Sequence, residues 1–127
     1  MKLTNNFNLK EFDCKDGSEM PDDVLENVKL LAIQLQKIRD YTNLPITINS
    51  AYRSPKYNKK IGGAKNSQHL YGKAADIVIK GMNPLKVYDL LEHLNDTEVI
   101  KIGGLGKYNT FTHVDIRDNT ARWDKTK

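Results

Sequence analysis

Two spacings of apolar residues alternate along the chain. Val24, Val28, Leu31, Leu35 and Ile38 recur at intervals of four and three, the buried face of a helix that begins after Met20-Pro-Asp-Asp and ends near Tyr41. Pro21 is tolerated at a helix start, and Asp22 and Asp23 suit its positive end. Thr42-Asn-Leu-Pro45 closes the helix, and Ile46-Thr-Ile-Asn49 alternates as a strand does. Ser54-Pro55 reads as the cap and first residue of a short helix over 56–60, which Gly62-Gly63 ends. Ala74 to Ile79 is a continuous apolar strand interrupted only by Asp76. Asn83-Pro84 starts a second long helix whose predicted buried face is Leu85, Tyr88, Leu91 and Leu94. Val99 to Ile102 is predicted as a strand and Gly103-Gly-Leu-Gly106 as a turn. Phe111 to Arg117 and Thr120 to Trp123 are predicted as short strands around a tight turn at Asp118-Asn119.

The fold class expected from these elements is α+β, with a small sheet flanked by helices. A length of 127 residues fits a single domain over 1–127, with residues 1–20 as an irregular arm whose Phe7, Leu9 and Phe12 dock on the core. Apolar residues at 39% and charged residues at 28% suit a globular chain rather than a disordered one. No apolar run is long enough for a membrane span. Met1-Lys-Leu-Thr-Asn-Asn-Phe7 lacks an apolar signal core, so no signal peptide is expected. The single cysteine, Cys14, excludes an intrachain disulfide and is read as structural or free before it is read as a metal ligand.

A net charge of +4 favours anionic partners in general, but no block of like charges appears. A nucleic-acid partner is therefore not expected, because clustered basic residues interleaved with aromatics are missing. The glycine cluster at 103–106 has neither dinucleotide-fingerprint nor P-loop spacing.

The candidate chemistry lies in Ser67-Gln-His69-Leu-Tyr-Gly72-Lys-Ala-Ala-Asp76 and in Phe111-Thr-His113-Val-Asp115-Ile-Arg117. An aspartate inside an apolar strand needs a partner, because a buried unpaired carboxylate is costly. His69, Asp76 and His113 would make a two-histidine, one-carboxylate set for Zn2+ with an open position for water, which zinc brings to a pKa near ~7. Such a water can attack a carbonyl that the metal polarises. Arg53 is the candidate for stabilising the oxyanion, since a guanidinium donates in a planar fork. Asp115 shares a strand face with His113 and is either the general base or a carboxylate that orients a ligand. The plainer alternatives are satisfied core histidines, a solvated arginine and a surface carboxylate, and His93 on a charged helix is read that way.

Those two segments, together with Ser50-Ala-Tyr-Arg53-Ser-Pro-Lys-Tyr-Asn58 and Gly62-Gly63, resemble the zinc D-alanyl-D-alanine carboxypeptidase family of metallopeptidases. The nearest resemblance is to small phage and prophage members, and it covers roughly residues 7–123. It implies a hedgehog/D-Ala-D-Ala peptidase-like fold with a small antiparallel sheet flanked by helices. By position it implies His69, Asp76 and His113 as metal ligands, Arg53 as the carbonyl-binding arginine and Ser67 as a substrate contact. The expected substrate is a peptidoglycan stem peptide, cut by a carboxypeptidase or endopeptidase. The protein is expected to be a monomer that is cytoplasmic until released to the cell wall, as a phage endolysin is. An alternative is a catalytically weak zinc-binding module that recognises peptidoglycan or serves in a virion. Its motive is a departure from the family pattern: Thr110 stands where several relatives carry a general-base carboxylate, and Phe111 where others carry a histidine.

Overall fold

Helix α1, Asp22–Thr42, buries Val24, Val28, Leu31, Leu35 and Ile38 on the stripe that the spacing predicts. The computed structural model describes residues 1–127. Pro21 precedes α1 in an extended conformation, and Asn43 takes the left-handed conformation (φ 54°) that closes it. Strand β1, Ile46–Ser50, follows, and then helix α2, Pro55–Lys60, whose Ser54 side chain accepts from the Tyr57 amide. Strand β2 is Ala74–Ile79, helix α3 is Pro84–Asp96, and strands β3, β4 and β5 are Gly104–Lys107, Thr112–Asp115 and Ala121–Asp124. Short 3-10 turns at Leu9–Phe12 and Gln68–Tyr71 complete the regular structure.

The five strands lie in the order β1-β2-β4-β3-β5, antiparallel except for β3 and β5, which run parallel. Because side chains alternate across a pleated sheet, register decides which face each residue serves. Ile48, Ile77, Val114 and Leu105 belong to the face that joins α1 and α3 in one buried hydrophobic cluster. The opposite face carries a row that crosses every strand: Ser50 beside Asp76, Asp76 beside His113, His113 beside Gly106, and Gly106 beside Trp123. A bulge between Ile48 and Ser50 brings Ser50 into that row.

In the amino-terminal arm, Phe7 and Phe12 are buried and packed edge to face at 6.3 Å. Four local readings need correction. Gly104–Lys107 is a strand near the sheet's centre, not a turn, because its glycines admit bulky neighbours: a Cβ on Gly104 would lie 2.1 Å from the Asp115 carboxylate, and one on Gly106 2.4 Å from the Trp123 indole nitrogen. Val99 to Ile102 is not a strand; Ile100 and Ile102 are buried, but the Lys101 and Ile102 amides bond to the side chains of Gln34 and Asn95. β4 and β5 do not form a hairpin across Asp118-Asn119, since β3 lies between them. In α3, Val87 is buried with Leu91 and Leu94 whereas Leu85 is half exposed, as a period of 3.6 residues drifts off a strict three-residue spacing.

Candidate metal centre

Asp76 is the one acidic residue in β2, and strand alternation turns it away from the hydrophobic core. His113 is its direct cross-strand partner on β4, and His69 reaches the same point from the 3-10 turn that precedes β2. Their side chains converge. Asp76 Oδ1 lies 3.2 Å from His69 Nε2 and 3.2 Å from His113 Nδ1, and all three are buried. A tetrahedral zinc ion with bonds near 2.0–2.2 Å has donor–donor edges of roughly 3.4 Å. The donors are two imidazoles and a carboxylate, with one donor atom from each within 4.8 Å of the others. They fit zinc in chemistry and in spacing.

Each imidazole is oriented by the nitrogen that faces away from Asp76. His69 Nδ1 donates to the Ala51 carbonyl at 2.7 Å, which leaves Nε2 as the lone-pair donor toward the centre. His113 is reversed: Nε2 donates to Asp115 Oδ2 at 2.7 Å and Nδ1 faces Asp76. Asp115 is fully buried and is itself pinned. Arg117 meets it in a fork through Nε (2.9 Å) and Nη2 (2.7 Å), and the Gly104 amide donates at 2.8 Å. Burial opposes the Asp115 charge, but the bonds to His113 and Arg117 prevail and hold its carboxyl well below the ordinary range. At Asp76 burial is likewise outweighed, here by His113 and His69, and the carboxyl is again held low. Burial also works against a charge on His113, yet the bonds to Asp115 and Asp76 raise its pKa.

Arg53 follows β1 and points into the same place. Its Nη2 lies 3.3 Å from Asp76 Oδ2, its Nε donates to Ser50 Oγ at 3.1 Å, and its Nη1 donates to Asn58 Oδ1 at 3.3 Å. Gly63 makes this possible: a Cβ there would fall 2.0 Å from Asn58 Oδ1 and 3.1 Å from Arg53 Nη1. Ser67 caps the 3-10 turn, accepting from the His69 amide at 3.2 Å, and also lines the cleft. All six residues expected from sequence therefore meet in one region: His69, Asp76, His113, Arg53 and Ser67 at the cleft, and Asp115 beneath it. Cys14 stands apart, buried against Ser54, and His93 is exposed on α3.

The cleft encloses about 650 Å³. One side is the polar loop around Gly62 to Gln68, and the other is built from Tyr108, Phe111, Arg117 and Trp123. Tyr108 and Phe111 stack at 4.4 Å, Trp123 donates to the Tyr108 hydroxyl at 3.0 Å, and its ring lies 4.8 Å from the His113 ring. Sequence reasoning missed Tyr108 and Trp123, and the part of Ser50 and Asn58 as partners of Arg53, because nothing local links them to the histidines. Phe111 and Arg117 did leave a signal, two residues before His113 and two beyond Asp115 on alternating positions.

Residues 3–115 match the sequence model of the Peptidase M15 family. This chain belongs to that family. The Zinc D-Ala-D-Ala carboxypeptidase of Streptomyces albus G is 37% identical over 70 residues, which are 55% of this chain and 27% of that enzyme. The chain thus spans about a quarter of that relative's length. The M15 match includes all three metal donors and ends at Asp115, so Arg117 and Trp123 lie beyond it. No helix is long and apolar enough to cross a membrane.

Proposed function

We propose that this M15 peptidase is zinc-dependent and hydrolyses peptide bonds in peptidoglycan stem peptides. The observation that carries the reading is the convergence of His69 Nε2, Asp76 Oδ1 and His113 Nδ1 on an open cleft beside a fixed arginine. The name of the Streptomyces albus G relative supports the substrate class. His69, Asp76 and His113 hold the ion. Zinc, when bound, supplies a water acidified toward neutral pH and a Lewis acid for a carbonyl oxygen.

The protein's own groups do the rest. Arg53 is held from three sides before substrate arrives, so it faces developing negative charge without reorganising. Asp115 acts as the positioning carboxylate: it fixes the His113 tautomer and has no free oxygen near the cleft for a proton-transfer role. Ser67 contacts substrate from the loop side of the cleft. One chain supplies every part, which supports action as a monomer. The site of action is the cell wall, reached in a phage- or prophage-type setting by release from the cytoplasm.

A second reading has an observation of its own. Asp76 is the sole carboxylate lining the cleft, and the exposed Thr110 stands where a base carboxylate would be expected. A zinc-binding module that recognises peptidoglycan and turns over weakly accounts for that. Incubating the protein with muropeptides, with and without a chelator, separates the two. Chelator-sensitive release of D-alanine or of new amino termini supports the peptidase, and binding without release supports the module.

A further inference from the structure

His113, Gly106 and Trp123 stand side by side on β4, β3 and β5. Residues two strands apart in a sheet are separated by roughly 10 Å. The imidazole and indole centroids are nevertheless only 4.8 Å apart, with the rings tilted at 51°. The gap closes because the middle strand offers no side chain there. A Cβ on Gly106 would lie 2.4 Å from Trp123 Nε1 and 2.5 Å from its Cε2, so the indole lies across β3 on bare backbone. Its orientation is fixed by Nε1, which donates to the Tyr108 hydroxyl at 3.0 Å.

The same indole meets a second group of the centre. The Arg117 guanidinium carbon lies 5.3 Å from the centre of the Trp123 ring, within reach of a cation–π contact. Arg117 forks onto Asp115, and Asp115 holds His113 Nε2 at 2.7 Å. His113, Asp115, Arg117 and Trp123 therefore form a closed ring of contacts, each touching two others. Asp115 and His113 are buried, whereas Trp123 is half-buried and lines the cleft.

We infer that Trp123 is a positioning residue of the metal centre. Its indole holds the His113 ring and the Arg117 fork in place and keeps water from the hydrogen bond between His113 and Asp115. Such a bond is stronger where water is excluded, and a ligand histidine that loses its support binds metal less well. Strand β5 thereby belongs to the centre although it supplies no ligand. The inference rests on the zinc reading of His69, Asp76 and His113, and not on whether the protein cuts peptides. A residue that merely walls the cleft for substrate would leave metal affinity untouched, which separates the two roles.

The test is zinc Kd, measured by competition with a chromophoric chelator. Trp123→Leu keeps apolar bulk and is expected to weaken zinc about tenfold, the lower end of what losing support for a ligand histidine costs. Trp123→Phe is expected to recover most of that loss. Gly106→Ala, which displaces the indole without removing it, is expected to lose as much as Trp123→Leu. The deciding measurement is a double variant. Because Trp123 acts through the bond between Asp115 and His113, adding Trp123→Leu to Asp115→Asn is expected to cost less than about twofold more. Trp123 is the chain's single tryptophan, so its fluorescence is also expected to change as zinc fills the wild-type site. Zinc affinity unchanged in Trp123→Leu would overturn the inference, and so would penalties of Trp123→Leu and Asp115→Asn that multiply in full. Emission indifferent to zinc would overturn it too. A wild-type protein that binds no zinc would reject the metal reading and this inference together, whereas zinc binding indifferent to Trp123 rejects this inference alone.

Discussion

Asp76 and His113 stand directly opposite each other on β2 and β4, and Asp76 Oδ1 lies 3.2 Å from His113 Nδ1. They are separated by 36 intervening residues that include all of α3, yet the antiparallel register makes them neighbours on the face away from the core. Two register steps further along, on the same face, Ala74 faces Asp115, which holds the other edge of the same imidazole. The metal centre is thus a product of strand register, with only His69 supplied from outside the sheet.

The Asp115 to His113 contact predicts how Asp115→Asn behaves. Zinc affinity should fall about 10- to 100-fold, as for other carboxylates that orient a ligand histidine. At saturating zinc, kcat should stay within a few-fold of wild type. Zinc Kd and kcat measured separately check this; a large loss of kcat with zinc fully bound would make Asp115 the base.

Arg53→Ala should leave zinc bound and lower turnover by about a hundredfold or more, the scale of removing a preorganised oxyanion donor. Arg53→Lys should recover little, because an ammonium cannot satisfy Ser50, Asn58 and Asp76 in one plane. Metal analysis alongside kcat/KM is the check, and unchanged turnover would remove the arginine from the chemistry.

Gly104→Ala is predicted to be costly although it adds one methyl group. The new Cβ would lie 2.1 Å from Asp115 Oδ2 in a fully buried position, so strand or carboxylate must move. Overpacking of this kind costs about 1–3 kcal/mol, and here it should also weaken zinc binding through Asp115. Urea denaturation of the metal-free protein and a zinc titration measure the two effects. A variant as stable as wild type would show that β3 yields more easily than its packing implies.

Zinc should stabilise the fold as well as serve the reaction. At a thousandfold excess over Kd, binding to the folded state alone contributes about 4 kcal/mol. A chelator should therefore lower Tm by roughly ten degrees or more. His69→Ala and Asp76→Ala should melt at one temperature with or without zinc. Calorimetric scans of the three proteins, with and without chelator, decide it.

Much of this protein was legible in its sequence because much of it is local. The stripe on α1, the Ser54-Pro55 start of α2 and the apolar run of β2 follow from periodicity and capping, which depend on near neighbours. Asp76 could be singled out because a carboxylate in an apolar strand demands a partner, and His69 and His113 because their segments matched a family pattern. Sheet order was not legible. That β3 separates β4 from β5, and that Gly104 to Gly106 is strand rather than turn, depends on which side chains must lie over which backbone, and glycine in isolation reads as a turn. The role of Asp115 was undecided for the same reason. Strand alternation put it on the face of His113, but only the packed sheet brought Arg117 and the Gly104 amide to its oxygens. Sequence determined which groups could bind a metal; tertiary structure decided which nitrogen of each histidine faces it, because the His69 tautomer is set by the distant Ala51 carbonyl and the His113 tautomer by Asp115, which the Gly104 amide of a neighbouring strand helps to hold.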